Sequence, residues 1–246
     1  MNISVVIIAK NEADRIGQCI AAASHVSDDV IVLDSGSTDG CQQVASAAGA
    51  QVLDVSWQGY GRTKNMGAKY TKYDWILSLD ADEVLSDPLI STIRTLQLTR
   101  GSVYLLDRMV MLQGRYIKHC GWHPDWVYRI FHKDDCKWND ALVHEKLVFP
   151  ADTAICKLEG VLTHYSFRNM EHLRAKINEY AKLAAQEWHA KRRAPSATKR
   201  LIGPWWKYIQ TYYLYQGYKD GPLGKEIATI LADGVRKKLH YYKQLS

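Results

Sequence analysis

Three carboxylates follow a hydrophobic run near residue 80. Residues 75–79 are apolar apart from one serine and lead directly into Asp80, Ala81, Asp82 and Glu83. In open α/β sheets, ligands bind at the carboxyl ends of such buried strands. Carboxylates this close repel one another unless a cation neutralises them, and a hard divalent ion with oxygen ligands meets that need. An Asp-x-Asp pair alone is also typical of a solvated turn.

The first hundred residues alternate between strand-like and helix-like segments, so we expect them to position these carboxylates. Regular alternation predicts a parallel, doubly wound α/β sheet with right-handed crossovers. Asn11, Glu12 and Asp34 follow other predicted strands and should reach the same edge of the sheet. The predicted strands are 3–9, 30–33, 50–55 and 75–79, and the predicted helices are 16–23, 42–48, 62–70 and 87–98.

The pattern changes after residue 100. Segments 103–107, 109–113, 116–119 and 126–131 are strand-like without long helices between them, and Gly114-Arg115 is a plausible hairpin turn. From Asn169 onward the spacing of apolar residues is helical, with a break at 193–196. We therefore predict a mixed second half followed by helices.

Composition is typical of a globular protein. The chain has 246 residues, of which 47% are hydrophobic and 24% charged, enough for one sizeable domain with an appendage. The sequence contains no run of 18 apolar residues, so we expect no membrane-spanning helix. The start of the chain is typical of a strand rather than a signal peptide. Five cysteines without a zinc-type spacing indicate reduced thiols and a cytoplasmic location.

Charge is divided unevenly along the chain. From residue 165 to the end there are 16 Lys/Arg against 6 Asp/Glu, whereas the preceding part has 16 against 20. The same end contains nine tyrosines and three tryptophans. Aromatic residues among cations suit an anionic membrane surface, and they also suit stacking on nucleic-acid bases. The third interpretation is a helical appendage whose aromatic residues pack onto the core.

The usual phosphate-binding loops are absent from the sequence. The first predicted strand leads into Lys10, Asn11 and Glu12 instead of a glycine-rich dinucleotide loop, and no P-loop motif occurs. What remains is a set of carboxyl-end polar residues, including Asp80 and Asp82. Two carboxylates and substrate phosphates around Mg²⁺ or Mn²⁺ would bind a nucleotide diphosphate.

Three segments resemble the landmark segments of family 2 glycosyltransferases, in the same order and with similar spacing. They are residues 4–12 (SVVIIAKNE), 32–40 (VLDSGSTDG) and 80–83 (DADE). Four later segments resemble the subgroup that adds sugars to the inner core of lipopolysaccharide, in particular β-1,4-glucosyltransferases acting on a core heptose. These are residues 122–125 (WHPD), 129–131 (RIF), 143–145 (VHE) and 162–165 (LTHY).

The resemblance implies a GT-A fold and a nucleotide-sugar donor, UDP-hexose, with Mg²⁺ or Mn²⁺. Residues 1–165 would form the glycosyltransferase domain, with a nucleotide-sugar half to residue 100 and an acceptor half from 101. Residues 166–246 would form a helical, basic, aromatic-rich appendage. No nucleic-acid partner is then expected.

The resemblance also implies roles for individual residues. Residues Ala9, Asn11 and Glu12 would line the nucleotide pocket, and Asp34 would contact uracil and ribose. Arg62 or Lys64 would approach the diphosphate. The remaining implied residues are the metal-binding pair Asp80 and Asp82, with Asp80 facing the ribose or a metal-bound water, and the candidate metal ligand His164.

Two carboxylates are candidates for the general base, Glu145 and Asp125. The Glu-Asp pair found near the acceptor in this family is missing, and His144-Glu145 occupies the comparable stretch. Glu145 is the first candidate for the base and Asp125 the alternative, since a carboxylate within hydrogen-bond reach can take the acceptor's proton. His144 is expected to contact the metal, the diphosphate or the backbone.

The implied activity is transfer of a hexose, with glucose from UDP-glucose as the first choice, to a lipid-linked saccharide. A single displacement inverts the anomeric configuration. The acceptor implied by the resemblance is the heptose of the lipopolysaccharide inner core, reached from the inner face of the cytoplasmic membrane by a peripheral enzyme. The alternatives are a polyprenyl-phosphate sugar synthase and, in a different class, a non-catalytic membrane-surface module.

Overall fold

The computed structural model describes residues 2–141, 145–192 and 194–245. They form two compact units. Unit 1 comprises Met1–Arg108 and Asp125–His164, and unit 2 comprises Met109–Pro124 and Tyr165–Ser246. The predicted division at residue 165 into a transferase domain and an appendage concerns function and stays a prediction.

Strands dominate unit 1. In chain order the strands are β1 (Ile3–Ala9), β2 (Val30–Asp34), β3 (Gln51–Asp54), β4 (Trp75–Asp80), β5 (Glu83–Leu85), β6 (Ser102–Leu112), β7 (Arg115–Tyr116), β8 (Trp126–His132), β9 (Lys137–Trp138), β10 (Leu147–Val148) and β11 (Ala154–His164). β7 and residues 109–112 of β6 belong to unit 2, and the other strands belong to unit 1. The helices of this unit are α1 (Ile16–Ser24), α2 (Cys41–Ala47), α3 (Tyr60–Gly67) and α4 (Asp87–Thr95).

The main sheet has the strand order β3-β2-β1-β4-β8-β6-β11-β5. β1, β2, β3 and β4 pair in parallel, as the alternation of strands and helices predicted. All seven residues of β1 are buried because both faces of the strand are covered. Beyond β4, antiparallel pairs join β4 to β8, β8 to β6, and β11 to β5, so the sheet is mixed. The predicted α/β class of GT-A type is confirmed.

The strands after residue 100 differ in detail from the prediction. Segments 103–107 and 109–113 form one continuous strand, β6, and the predicted strand 116–119 is reduced to β7. Leu112 pairs with Arg115, so the hairpin turns at Gln113 and Gly114, one residue earlier than predicted. Both turn residues have positive φ (51° and 73°), as a two-residue turn of this hand requires.

Helices form most of unit 2, as predicted. They are α5 (Met170–Ala190), α6 (Ala197–Ile209) and α7 (Gly221–Leu245), with a π-helical turn at Gln210–Leu214 and a 3₁₀ turn at Gly217–Asp220. The side chains of Asn169 and Ser196 accept hydrogen bonds from backbone amides at the starts of α5 and α6, which explains where each helix begins. In the described part of the chain, no helix has the length and apolar character needed to cross a membrane.

Candidate active site

Three parallel strands end side by side at one edge of the sheet. Ala9, at the end of β1, is paired with Asp34 at the end of β2, and Ile8 is paired with Asp80 at the end of β4. Parallel register therefore brings the three polar segments after these strands together, as the sequence predicted. Asn11, just beyond β1, adopts a left-handed backbone conformation with φ of 56°, one that Asn tolerates better than most residues.

Asp34 organises the turn that follows β2. Its carboxylate is buried and accepts hydrogen bonds from the amides of Gly36 and Ser37, from the Ser37 hydroxyl and from Gln42 Nε2. Burial raises the pKa of Asp34, but hydrogen bonds from Gln42 and Ser37 outweigh it and lower the pKa. Asn11 is joined to the same turn, because its Oδ1 accepts from the Thr38 amide at 2.9 Å. The predicted contact of Asp34 with uracil and ribose stays a prediction.

Asp80 lies between two buried cations. Its carboxylate is 3.0 Å from Lys64 Nζ and accepts a hydrogen bond from Arg129 at 2.8 Å. Burial raises the pKa of Asp80, yet the positive charges of Lys64 and Arg129 outweigh burial and hold its pKa well below the usual 3.8. Asp80 is therefore ionised, with its charge largely balanced by the protein. The oxygen that faces Lys64 is Oδ1, and the oxygen that accepts from Arg129 is Oδ2.

Lys64 reaches this position because α3 packs closely on the sheet. A Cβ at Gly67, the last residue of α3, would lie 2.5 Å from a Val6 methyl carbon, so only glycine allows the approach. The Lys64 ammonium also lies 4.7 Å from the centre of the Trp138 ring. Arg62 points instead to solvent and pairs with Asp140 at 3.1 Å, with both side chains more than half exposed. Of the two predicted cations, only Lys64 joins Asp80.

Glu83 is a residue that the sequence analysis did not assign to the site. It is fully buried, accepts hydrogen bonds from Arg129 and Arg108, and accepts another from the backbone amide of Asp80. Burial would lower the pKa of Arg129, but the charges of Glu83 and Asp80 outweigh it and raise the pKa. Glu83 thus fixes both guanidinium groups beside Asp80. Its place in the sequence, third after Asp80, was the only available signal.

Asp82 and His164 meet at the turn between β4 and β5. The antiparallel register of β11 and β5 pairs His164 with Glu83, and His164 Nε2 lies 3.3 Å from Asp82 Oδ2. Burial raises the pKa of Asp82, but the hydrogen bond from His164 and nearby positive charge together outweigh burial and lower the pKa. Among the described residues no group of three or more His, Cys, Asp or Glu side chains is placed to hold a metal ion. Asp82 and His164 offer two ligands.

Both candidate bases lie in the same ionic network. Glu145 accepts a hydrogen bond from Lys64 at 2.8 Å, and its side chain is 15% exposed. Asp125 accepts a hydrogen bond from Arg108 at 2.8 Å, and its side chain is 39% exposed. His144, for which a contact with metal, diphosphate or backbone was predicted, lies outside the described residues. The structure therefore brings both carboxylates to the cluster, and the choice between them stays a prediction.

The charges of this cluster do not cancel. Its acidic members are Asp80, Asp82, Glu83, Asp125 and Glu145, and its cationic members are Lys64, Arg108 and Arg129. Counted over these eight side chains, the carboxylates exceed the cations by two. A divalent cation would balance that excess, and carboxylate and imidazole groups are suitable ligands for Mg²⁺ or Mn²⁺.

Comparison with known proteins gives one family. Residues 4–145 match the family described as Glycosyl transferase family 2. An uncharacterized glycosyltransferase of Rickettsia prowazekii (strain Madrid E) is 27% identical over 230 residues, which covers 89% of this chain and 79% of that protein. An uncharacterized glycosyltransferase of Rickettsia bellii (strain RML369-C) is 29% identical over 230 residues, with coverage of 89% and 78%.

Two solved structures illustrate the structural similarity. S. aureus TarS 1-349 in complex with UDP is 15% identical, with a TM-score of 0.48, and the match covers 99% of this chain and 92% of that chain. Glucosyl-3-phosphoglycerate synthase from Mycobacterium tuberculosis in complex with Mg²⁺ and UDP is 18% identical, with a TM-score of 0.46 and coverage of 80% and 81%.

Proposed function

This chain belongs to glycosyl transferase family 2, and we propose that it transfers a hexose from UDP-hexose to a lipid-linked saccharide with inversion at the anomeric carbon. The observation that carries the proposal is the convergence of Asn11, Asp34 and the Asp80-Ala81-Asp82 turn at the carboxyl ends of three parallel strands. Such an edge is where an open α/β sheet binds its ligand. Glucose is the first choice of hexose, on the resemblance already described.

A divalent metal, Mg²⁺ or Mn²⁺, fits the residues at the turn between β4 and β5. Asp82 and His164 lie 3.3 Å apart and would supply two ligands, leaving room for substrate phosphates and water as Mg²⁺ sites usually require. Asp80 would face the ribose or a metal-bound water, with its Oδ1 atom also held by Lys64 at 3.0 Å. When bound, the metal would neutralise charge on the departing diphosphate.

Lys64 and one carboxylate would bind the diphosphate and accept the proton, respectively. Lys64 is buried beside Asp80 and Glu145, where its charge would also favour a diphosphate at this edge. We propose Glu145 as the base that accepts the acceptor hydroxyl's proton as that oxygen attacks the anomeric carbon, with Asp125 as the alternative. The hydrogen bond from Lys64, at 2.8 Å, positions the Glu145 carboxylate.

The proposed acceptor is the heptose of the lipopolysaccharide inner core. Support comes from the resemblance of residues 122–125, 129–131, 143–145 and 162–165 to the enzymes that act there. Each of these segments carries one residue of the site: Asp125, Arg129, Glu145 and His164. We propose further that the protein works in the cytoplasm, as a peripheral protein on the inner face of the membrane.

Transfer assays on defined acceptors test this proposal. The protein is incubated with labelled UDP-glucose and Mn²⁺, together with either heptose-terminated lipopolysaccharide or polyprenyl phosphate. We expect label in the lipopolysaccharide and a β-linked product. Label in the polyprenyl lipid would establish the alternative synthase activity. The absence of both transfer and donor hydrolysis with every nucleotide sugar would refute the proposed activity.

A further inference from the structure

Helix α6 in unit 2 has two faces of opposite character. One side carries the less exposed residues of the helix, Gly203, Pro204, Lys207 and Tyr208, at helical spacing. A Cβ at Gly203 would meet Val235 of α7 at 3.5 Å, which marks the packed side. The outer face is formed by large apolar residues, also at helical spacing: Leu201, Ile202, Trp205, Trp206 and Ile209.

The outer face is open to solvent to an unusual degree. Leu201 is 76% exposed and Trp205 72% exposed, and Tyr213 and Leu214 of the π-helical turn continue the apolar surface. At about 100° per residue, the five outer residues of α6 span roughly 140° of the helix circumference. A contiguous apolar surface of this kind marks a site of association. We call it the α6 face: Leu201, Ile202, Trp205, Trp206, Ile209, Tyr213 and Leu214.

The segment that carries the α6 face has charge of one sign only. Residues 191–219 contain seven Lys/Arg and no Asp/Glu. Lys199, Arg200 and Lys219 are exposed. The Lys199 ammonium lies 4.6 Å from the centre of the Trp188 ring of α5, and Arg200 Nε donates to the Pro195 carbonyl. Lys207 is different, because it lies half-buried on the packed side and burial lowers its pKa. The surface therefore combines an apolar stripe with flanking positive charge.

We propose that the α6 face lies in the plane of an anionic lipid bilayer and inserts its apolar side chains between the headgroups. This deepens the membrane part of the proposed function, on which it rests, by naming the element and its mode of binding. Helix α6 and the π-helical turn together have 18 residues, about 27 Å at 1.5 Å per residue. Tryptophan and tyrosine favour the boundary between acyl chains and headgroups, and the surrounding cations favour anionic lipid.

A second copy of the chain fits this surface less well than a bilayer does. A two-fold dimer through the α6 face would place residues 191–219 of one copy against the same basic segment of the other. With seven cations and no carboxylate in each segment, the two surfaces would repel. An anionic bilayer meets both the apolar and the positive parts of the surface.

Sedimentation of the full chain with vesicles tests the inference. The vesicles contain phosphatidylglycerol and phosphatidylcholine, and parallel vesicles contain phosphatidylcholine alone. We expect Trp205→Ser with Trp206→Ser to weaken binding to anionic vesicles at least about tenfold, because large aromatic areas leave the lipid. Wild-type binding should weaken in about 0.5 M salt without vanishing, since screening does not reach the apolar contribution.

The matched control lies on α5 in the same unit. Tyr180 and Leu183 are as exposed as Trp206, and Tyr180→Ser with Leu183→Ser should leave vesicle binding unchanged. Equal binding by both double variants, or no binding by the wild type, would overturn the inference. The inference would also be overturned if the wild type formed a dimer in analytical ultracentrifugation, the tryptophan variant did not, and neither protein bound vesicles. Because sedimentation requires no sugar donor, its outcome is independent of whether transfer is observed.

Discussion

Glu83 offers a test of how the site is held together. It is fully buried and holds Arg129 and Arg108, while its other oxygen accepts from the Asp80 amide. Glu83→Gln keeps the shape but removes the charge, so two guanidinium groups lose their common anion. Removing one member of a buried ionic group costs about 3–5 kcal/mol in the free energy of unfolding.

The expected shift is large enough to measure by heat or by denaturant. A protein of this size loses roughly 2–4 °C in melting temperature for each kcal/mol, so we expect Glu83→Gln to melt about 6–20 °C lower. Urea unfolding followed by tryptophan fluorescence gives the free energy directly. The matched control is Asp28→Asn, which breaks a 2.7 Å ion pair with Lys72 in the same unit, where both partners are more than half exposed.

Exposed pairs contribute little to stability because water and side-chain entropy offset the attraction. We therefore expect Asp28→Asn to unfold close to the wild type. Equal loss of stability in the two variants, or an unchanged melting temperature for Glu83→Gln, would show that the buried network does not hold Asp80 and Arg129 in place.

Three further predictions concern the site. Asp82→Asn should still fold but lower transfer by several orders of magnitude and weaken donor binding in Mn²⁺, since about 3–4 kcal/mol or more of charge stabilisation is lost. Turnover that is unchanged in EDTA would contradict this. Glu145→Gln should abolish transfer while UDP affinity in Mn²⁺ stays close to the wild type; if it turns over normally and Asp125→Asn is inactive, Asp125 is the base. The folded protein holds the pKa of Asp80 below its ordinary value of 3.8, so the ionised carboxylate stabilises the fold. This stabilisation is complete above an ordinary carboxyl pKa and is lost as the pH falls through the lower pKa of the folded protein. Acid titration of the unfolding free energy should therefore be flat between about pH 5 and 8 from this source and fall below about pH 4, and Asp80→Asn should remove part of that fall.

Local pattern was sufficient to predict the strands that build the site. The apolar runs that form β1, β2 and β4 end in Ala9, Asp34 and Asp80. The ends of these strands were predictable because strand length and turn formation depend on residues that are neighbours in sequence. Parallel pairing then follows from the alternation with helices. The site edge was predictable for that reason.

Partnerships between distant residues were not predictable. Lys64 and Glu145 are 81 positions apart, and nothing in either segment indicates that their side chains meet. The choice between Arg62 and Lys64 depends on the rotation of α3, which is fixed by the close approach of Gly67 to Val6. Glu83 was named among the three carboxylates but was given no role, because its role depends on Arg108 of β6 and Arg129 of β8.

The carboxyl-terminal region shows the same limit. Its basic and aromatic composition was plain from the sequence, but composition alone does not tell which side of α6 packs on α7. Lys207 is one of the cations of that composition, yet it lies half-buried. The tryptophans at 205 and 206 face solvent instead of packing onto the core.

Calorimetric titration of UDP-glucose into the full chain, with and without Mn²⁺, tests the central claim most directly. We expect saturable binding of one equivalent in Mn²⁺, much weaker binding in EDTA, and loss of the Mn²⁺ enhancement in Asp82→Asn. The same titration with ADP-glucose and GDP-mannose establishes which nucleotide is preferred. Absence of binding by any of these donors in Mn²⁺, with the protein folded, would contradict the assignment of a nucleotide-sugar site to this edge of the sheet.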